Sequence, residues 1–243
     1  MNDAVLTVAW LGLLTALATG LGALPFLFIR EVSDRTAATM NAIAAGLMLG
    51  ASYGLVAEGS EHGGLQAIVG AGLGVAFIFA GEKLLEGRDV HFGEIRGAGA
   101  RQMLMILAVM TLHSFAEGVA VGVSFGGGER LAALITIAIA IHNVPEGLAI
   151  TAVMYPKGTS LWRCAGWSIF SSLPQPLMAV PAFLFVESFR PVLPYGLGFA
   201  AGAMVLMVFL ELLPDAYQKA SPTLVGTWTS LTLGAMILFQ LYL

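Results

Sequence analysis

Charge and cysteine are what this 243-residue chain has least of. Charged residues make up 11% of it, under half of the roughly 25% usual for a soluble domain. That shortage excludes an ordinary water-facing surface. The net charge of −4 is small and spread out, which argues against a nucleic-acid partner. A single cysteine, Cys164, excludes an intrachain disulfide framework and any thiolate-rich metal site. HExxH, the signature of a helical metalloprotease site, is absent from the sequence. The first residues, MNDAVLTVAWLG, lack a basic leader region, so the first apolar run reads as a retained span and not a cleaved signal.

What the chain has instead is apolar length. Hydrophobic residues make up 58% of it, gathered in runs of the roughly 20 residues needed to cross about 30 Å of hydrocarbon. The expectation is an all-α membrane protein, one domain over 1–243, with eight spans near 5–29, 37–57, 64–82, 102–125, 131–154, 164–186, 194–213 and 222–243. Helices are required because backbone groups cannot be left unpaired in lipid. The third and seventh spans are Gly-rich, which suits close helix packing. One connection is long: 86–101, EGRDVHFGEIRGAGAR. The loops after odd-numbered spans hold nine of the 11 Lys and Arg (Arg30, Arg35, Lys83, Arg88, Arg96, Arg101, Lys157, Arg163, Lys219), against Arg130 and Arg190 on the opposite side. The positive-inside rule makes the first set cytoplasmic and puts both termini outside.

Within the apolar runs one pattern repeats. His113 to Ala120 reads HSFAEGVA; His142 to Ala149 reads HNVPEGLA. The two lie on consecutive spans, which run in opposite directions, the mark of an inverted repeat with a substrate site near the bilayer midplane. Span two (Ala44-Ala45-Gly46-Leu47-Met48) and span seven (Ala200-Ala201-Gly202-Ala203-Met204) echo each other more faintly. Residues at i and i+4 share a helix face, so each motif aims an imidazole and a carboxylate the same way. An ionised Glu in hydrocarbon is costly unless paired. Two such helices face to face would surround one point with two His and two Glu, a donor set suited to Zn²⁺, Fe²⁺ or Mn²⁺. Helical glue without metal is the bland alternative, and the duplicated spacing speaks against it. Pro145 interrupts span five, and SSLPQP (171–176) loosens span six, which makes Gln175 a third pathway residue or an interhelical hydrogen-bond former.

HSFAEG, HNVPEG and SSLPQP resemble the signature helices of the ZIP (Zrt/Irt-like) family of divalent-metal transporters, the bacterial, GufA-like branch above all. The resemblance runs over the whole chain and includes AAGAMVLMVFLELLPDA in span seven. It implies a transporter and not an enzyme, carrying divalent cations toward the cytoplasm across the cell (inner or plasma) membrane, with zinc first and iron, manganese or cadmium as alternatives. The implied primary site is His113, Glu117, His142 and Glu146. Met48 is a soft ligand or simply core, and Glu211 lies along the path or at the interface. Three positions depart from relatives that hold two ions: Ser114, Asn143 and Gln175 are neutral here, so one well-held ion is expected and a second weakly if at all. Ser114 and Asn143 read equally as local backbone caps. His91 alone in the long loop leaves no metal-sensing run. The expected partners are a divalent-metal substrate and the lipid bilayer, with a homodimer open beside the monomer. The metal is cargo, and no cofactor is expected.

Overall fold

A computed structural model describes residues 2–29, 31–85 and 98–242. Arg30 and most of the 86–101 loop, with Arg88, His91 and Arg96, lie outside the described residues. Among those described, regular structure is helical throughout and no strand occurs. The helices are α1 (Asn2–Leu21), α2 (Asp34–Leu85), α3 (Ala98–Gly126), α4 (Glu129–Met154), α5 (Leu161–Ser172), α6 (Pro174–Ser188), α7 (Leu193–Met207), α8 (Leu213–Lys219) and α9 (Pro222–Tyr242), with a five-residue π-helical turn at Val208–Leu212 joining α7 to α8.

The 52 residues of α2 would run about 78 Å if straight, more than twice a hydrocarbon core. The chain instead leaves helical geometry at Gly63 (φ 160°, ψ 96°) and turns back. Packing partners record the reversal. On the first leg Asn41 meets Asp215, and Gly59 faces the Leu197 side chain. On the second, Gly70 abuts Tyr195 and Gly74 abuts Phe199. The first leg is therefore antiparallel to α7 and the second parallel to it. Counting the two legs separately, and α5–α6 and α7–α8 as one crossing each, the order is compatible with eight crossings.

Helices α1, α3, α4, α5 and α6 pack mainly with one another, while α2, α7, α8 and α9 form a second set. The sets meet along an apolar seam where Ala44, Met48 and Leu55 of α2 join Ala120 of α3, Ile139 of α4, and Leu197, Ala201 and Met204 of α7. Small residues let the backbones approach, as helix association in lipid requires. Large apolar side chains such as Trp10, Leu65, Leu73, Trp162, Leu177 and Leu231 point outward. In water that would be an aggregation surface; in lipid it is the solvent-facing side.

Two local features position the functional helices. Between α3 and α4 the chain turns within two residues, and Gly128 adopts φ 114°, a conformation open to glycine and strained for other residues. The turn forces α3 and α4 side by side and antiparallel. Proline divides α5 from α6: Pro174 and Pro176 lack the N–H groups that would bond back into the preceding turn, and the helix restarts after Leu173. By contrast α4 continues through Pro145.

Candidate metal centre

His113 and Glu117 stand one turn apart on α3, and His142 and Glu146 one turn apart on α4. The antiparallel pairing brings the two faces together. One ligand atom from each of the four side chains lies within 4.8 Å of the other three, and all four residues are at most 2% exposed.

The contacts inside the cluster are unequal. His142 Nδ1 lies 3.0 Å from the Ala138 carbonyl. Donation of Nδ1–H to that carbonyl turns the Nε2 lone pair into the cluster, where it meets Glu117 Oε1. A lone pair converging on a carboxylate oxygen needs a cation or a proton between them. This carbonyl-to-imidazole arrangement is how metal-binding histidines are ordinarily oriented. His113 Nε2 lies 2.8 Å from Glu146 Oε1 and 3.2 Å from Glu117 Oε1. Those approaches miss hydrogen-bonding directions: both His113 nitrogens and both Glu146 oxygens are buried without a hydrogen-bond partner among the described residues. Each such group costs about 1–3 kcal/mol when left unmatched. A coordinated dication would satisfy the Nε2 and carboxylate atoms together and offset two buried negative charges.

The neutral positions form a tether beside the cluster. Gln175 Nε2 donates to Glu117 Oε2 at 2.6 Å. Asn143 Nδ2 donates to Gln175 Oε1 at 3.1 Å and to the Thr15 carbonyl at 2.6 Å. One chain of hydrogen bonds therefore links α1, α4, α6 and α3, and ends on a carboxylate of the cluster. Close backbone approach makes it possible. A methyl group added to Gly118 would lie 2.6 Å from the Gln175 carbonyl oxygen, so α6 presses on α3 beside Glu117. A methyl on Gly147 would collide with the Thr19 carbonyl, so α1 presses equally on α4.

The remaining expected residues are placed differently. Met48 sits fully buried in the apolar seam with Ala120, which is one turn from Glu117 on α3, and Ile139, which is one turn from His142 on α4. Ser114 is fully buried and its hydroxyl has no hydrogen-bond partner among the described residues. Glu211 lies half-buried in the π-helical turn between α7 and α8. π-Bulges of this kind often sit at functional positions. The contribution of α1, through the Thr15 carbonyl and a Thr19–Ser172 hydroxyl pair at 2.7 Å, was not expected from the sequence. A backbone acceptor leaves no mark in the amino-acid order.

Comparison with known proteins gives concordant results. A family profile described as ZIP Zinc transporter matches residues 86–241. A putative zinc transporter of Arabidopsis thaliana is 46% identical over 96% of the chain, which spans 38% of that protein's length. Zinc transporter GufA of Myxococcus xanthus is 31% identical over 85% of this chain and 87% of its own. Zinc transporter ZIPB of Bordetella bronchiseptica is 35% identical over 92% of this chain and 75% of its own.

Proposed function

The chain belongs to the ZIP family of zinc transporters, and on that premise we propose that it carries divalent cations, Zn²⁺ first, toward the cytoplasm through the centre formed by His113, Glu117, His142 and Glu146. The observation that carries this reading is the convergence of two buried imidazoles and two buried carboxylates within 4.8 Å. Two nitrogens and two carboxylate oxygens complete a tetrahedral zinc shell without water. A dehydrated ion held there would leave water on one side of the bilayer and regain it on the other.

The other residues take supporting roles. Gln175 and Asn143 fix the orientation of Glu117 and keep the neighbouring space neutral, which favours one ion over two. Met48 lines the seam beside the centre. Ser114 and Glu211 are path residues, Glu211 toward the end of α8 where Lys219 lies. Alternating access is carried by displacement of the α2, α7, α8 and α9 set against the set that bears the four ligands, along the small-residue seam.

Orientation follows from charge. Arg35, Lys83, Lys157, Arg163 and Lys219 fall at helix ends that the packing directions bring to one face, and Arg130 and Arg190 fall at the other. This supports a multi-pass protein of the cell membrane with both termini outside. The homodimer left open by the sequence rests on no surface that the described residues distinguish from lipid-facing helix, and the carrier unit proposed is the single chain.

The test is zinc uptake into sealed proteoliposomes with an internal zinc dye, with Fe²⁺, Mn²⁺ and Cd²⁺ as competitors. Saturable uptake is expected for the intact chain, and near-total loss for His113→Ala and Glu146→Ala. Normal uptake by either variant would overturn the assignment. Linear, non-saturating flux would replace the carrier with a passive channel.

A further inference from the structure

Away from the metal centre, three helix ends meet: the start of α2, the end of α8 and the start of α9. A groove of about 570 Å³ opens between them, lined among others by Arg35, Lys219, Ser221, Thr223, Thr227 and Trp228. That volume is too large for a single ion and ample for a polar headgroup. Leu224, one of the groove's lining residues, also packs against the apolar cluster of Ala38, Ala42, Ala216 and Val225.

The groove's charges are positive and unequally engaged. Lys219 Nζ holds Asp215 Oδ2 at 2.7 Å, and Asn41 donates to the same carboxylate oxygen at 2.7 Å. Asp215 is thus held by two donors and turned toward α2. Arg35 has no ion pair among the described residues, although Asp34 is its chain neighbour. The start of α9 is not by itself the binding element: Ser221 Oγ already accepts from the Leu224 N–H at 3.3 Å, and only its hydroxyl hydrogen is left to donate.

Arg35 is the second residue of a long apolar helix, and Trp228 stands six residues into another, about 9 Å along its axis. Both helices begin at this face, so the groove lies at headgroup depth. Trp228 is 40% exposed, at the level where tryptophan favours the membrane interface. The lysine and arginine distribution makes this the cytoplasmic leaflet. Basic pockets between transmembrane helices on that side are suited to anionic headgroups.

We propose that the groove between α2, α8 and α9 binds a phosphate group, that of an anionic phospholipid headgroup or a free phosphate ion, through Arg35 and Lys219 with the hydroxyls of Ser221, Thr223 and Thr227 around it. The proposal is independent of the metal centre: it invokes none of that centre's residues and stands whatever ion the protein carries.

Native mass spectrometry of the full chain, released from detergent with dioleoyl phosphatidylglycerol or dioleoyl phosphatidylcholine, tests it, with inorganic phosphate as a separate titrant. Phosphatidylglycerol adducts are expected to survive where phosphatidylcholine adducts do not. Arg35→Gln and Lys219→Gln should each weaken retention about fivefold. Arg35→Lys should restore much of it, and Arg163→Gln, a cation on the same face outside the groove, should leave it unchanged. Size-exclusion profiles matching the parent establish that the variants are folded. Phosphatidylglycerol retention that inorganic phosphate competes away supports a site that reads the phosphate group. Phosphate binding that Arg35→Gln abolishes, without lipid retention, assigns the groove to the free ion. Equal retention of both lipids without phosphate binding, or equal losses from Arg163→Gln and Arg35→Gln, would overturn the proposal.

Discussion

Replacing Gln175 with Glu exchanges one NH₂ group for an oxygen and should change how many ions the protein holds. Gln175 Nε2 donates to Glu117 Oε2 at 2.6 Å, and its Oε1 accepts from Asn143. The substitution removes the first bond, a loss of about 1.5–3 kcal/mol for a donor serving a charged acceptor. It also sets a second carboxylate about 3 Å from the first. At an effective dielectric of about 20, two unit charges at that spacing repel by roughly 5 kcal/mol. The metal-free variant must therefore lose stability or hold a proton between the two carboxyls. A second dication between Glu117 and the new Glu would remove the repulsion and convert it to attraction. The assay is metal stoichiometry by calorimetry and elemental analysis of purified protein, with thermal unfolding followed with and without Zn²⁺. The parent is expected to bind one ion. Gln175→Glu should bind two, and should be less stable than the parent without zinc and gain more from it. Gln175→Leu, which removes the donor without adding charge, should stay at one. A stoichiometry of one for Gln175→Glu, with the parent's zinc response, would refute the account of why these positions are neutral.

Other outcomes follow from the same geometry. Gln175→Leu should weaken zinc affinity by about 10–100-fold, as loss of a ligand's outer hydrogen-bond partner commonly does, and calorimetry reads it. Asn143→Ala cuts the link to the Thr15 carbonyl and should cost about 1–3 kcal/mol of stability, measured as a lower unfolding temperature at unchanged zinc stoichiometry. Gly147→Ala drives a methyl toward the Thr19 backbone, to 2.7 Å from its carbonyl carbon; overpacking against a rigid partner costs about 1–3 kcal/mol or more. Folded yield should fall sharply for it and stay normal for Gly166→Ala, where nothing lies within 4 Å.

The residues of the candidate centre were legible because helix periodicity is local. His113 with Glu117, and His142 with Glu146, share a face by spacing alone. The reversal between consecutive spans then leaves little freedom in how the two faces meet. The membrane class was legible for a similar reason: length and apolarity are counted directly from the chain. Other features depend on contacts that sequence does not record. The reversal at Gly63 falls in the polar break EGSEHGG between spans two and three, where the sequence puts it, but helical structure running up to Gly63 from both sides was not announced. The π-helical turn at Val208–Leu212 adds one residue to a helix turn, which no residue in VFLEL announces. Thr15 contributes a carbonyl, a group that every residue possesses. Asn143 and Gln175 were visible as polar residues in apolar helices, yet either could have capped its own backbone. Only the close approach of α6 to α3 at Gly118 sets them in one chain ending on Glu117.

The central claim is that His113, Glu117, His142 and Glu146 hold one divalent ion between them. X-ray absorption at the zinc edge, on purified protein loaded with one equivalent of Zn²⁺, tests it most directly. The account predicts a shell of nitrogen and oxygen near 2.0–2.1 Å with the outer scattering of two imidazoles, falling to one in His113→Ala and in His142→Ala. A zinc spectrum without imidazole scattering, or one unchanged by both substitutions, would contradict it.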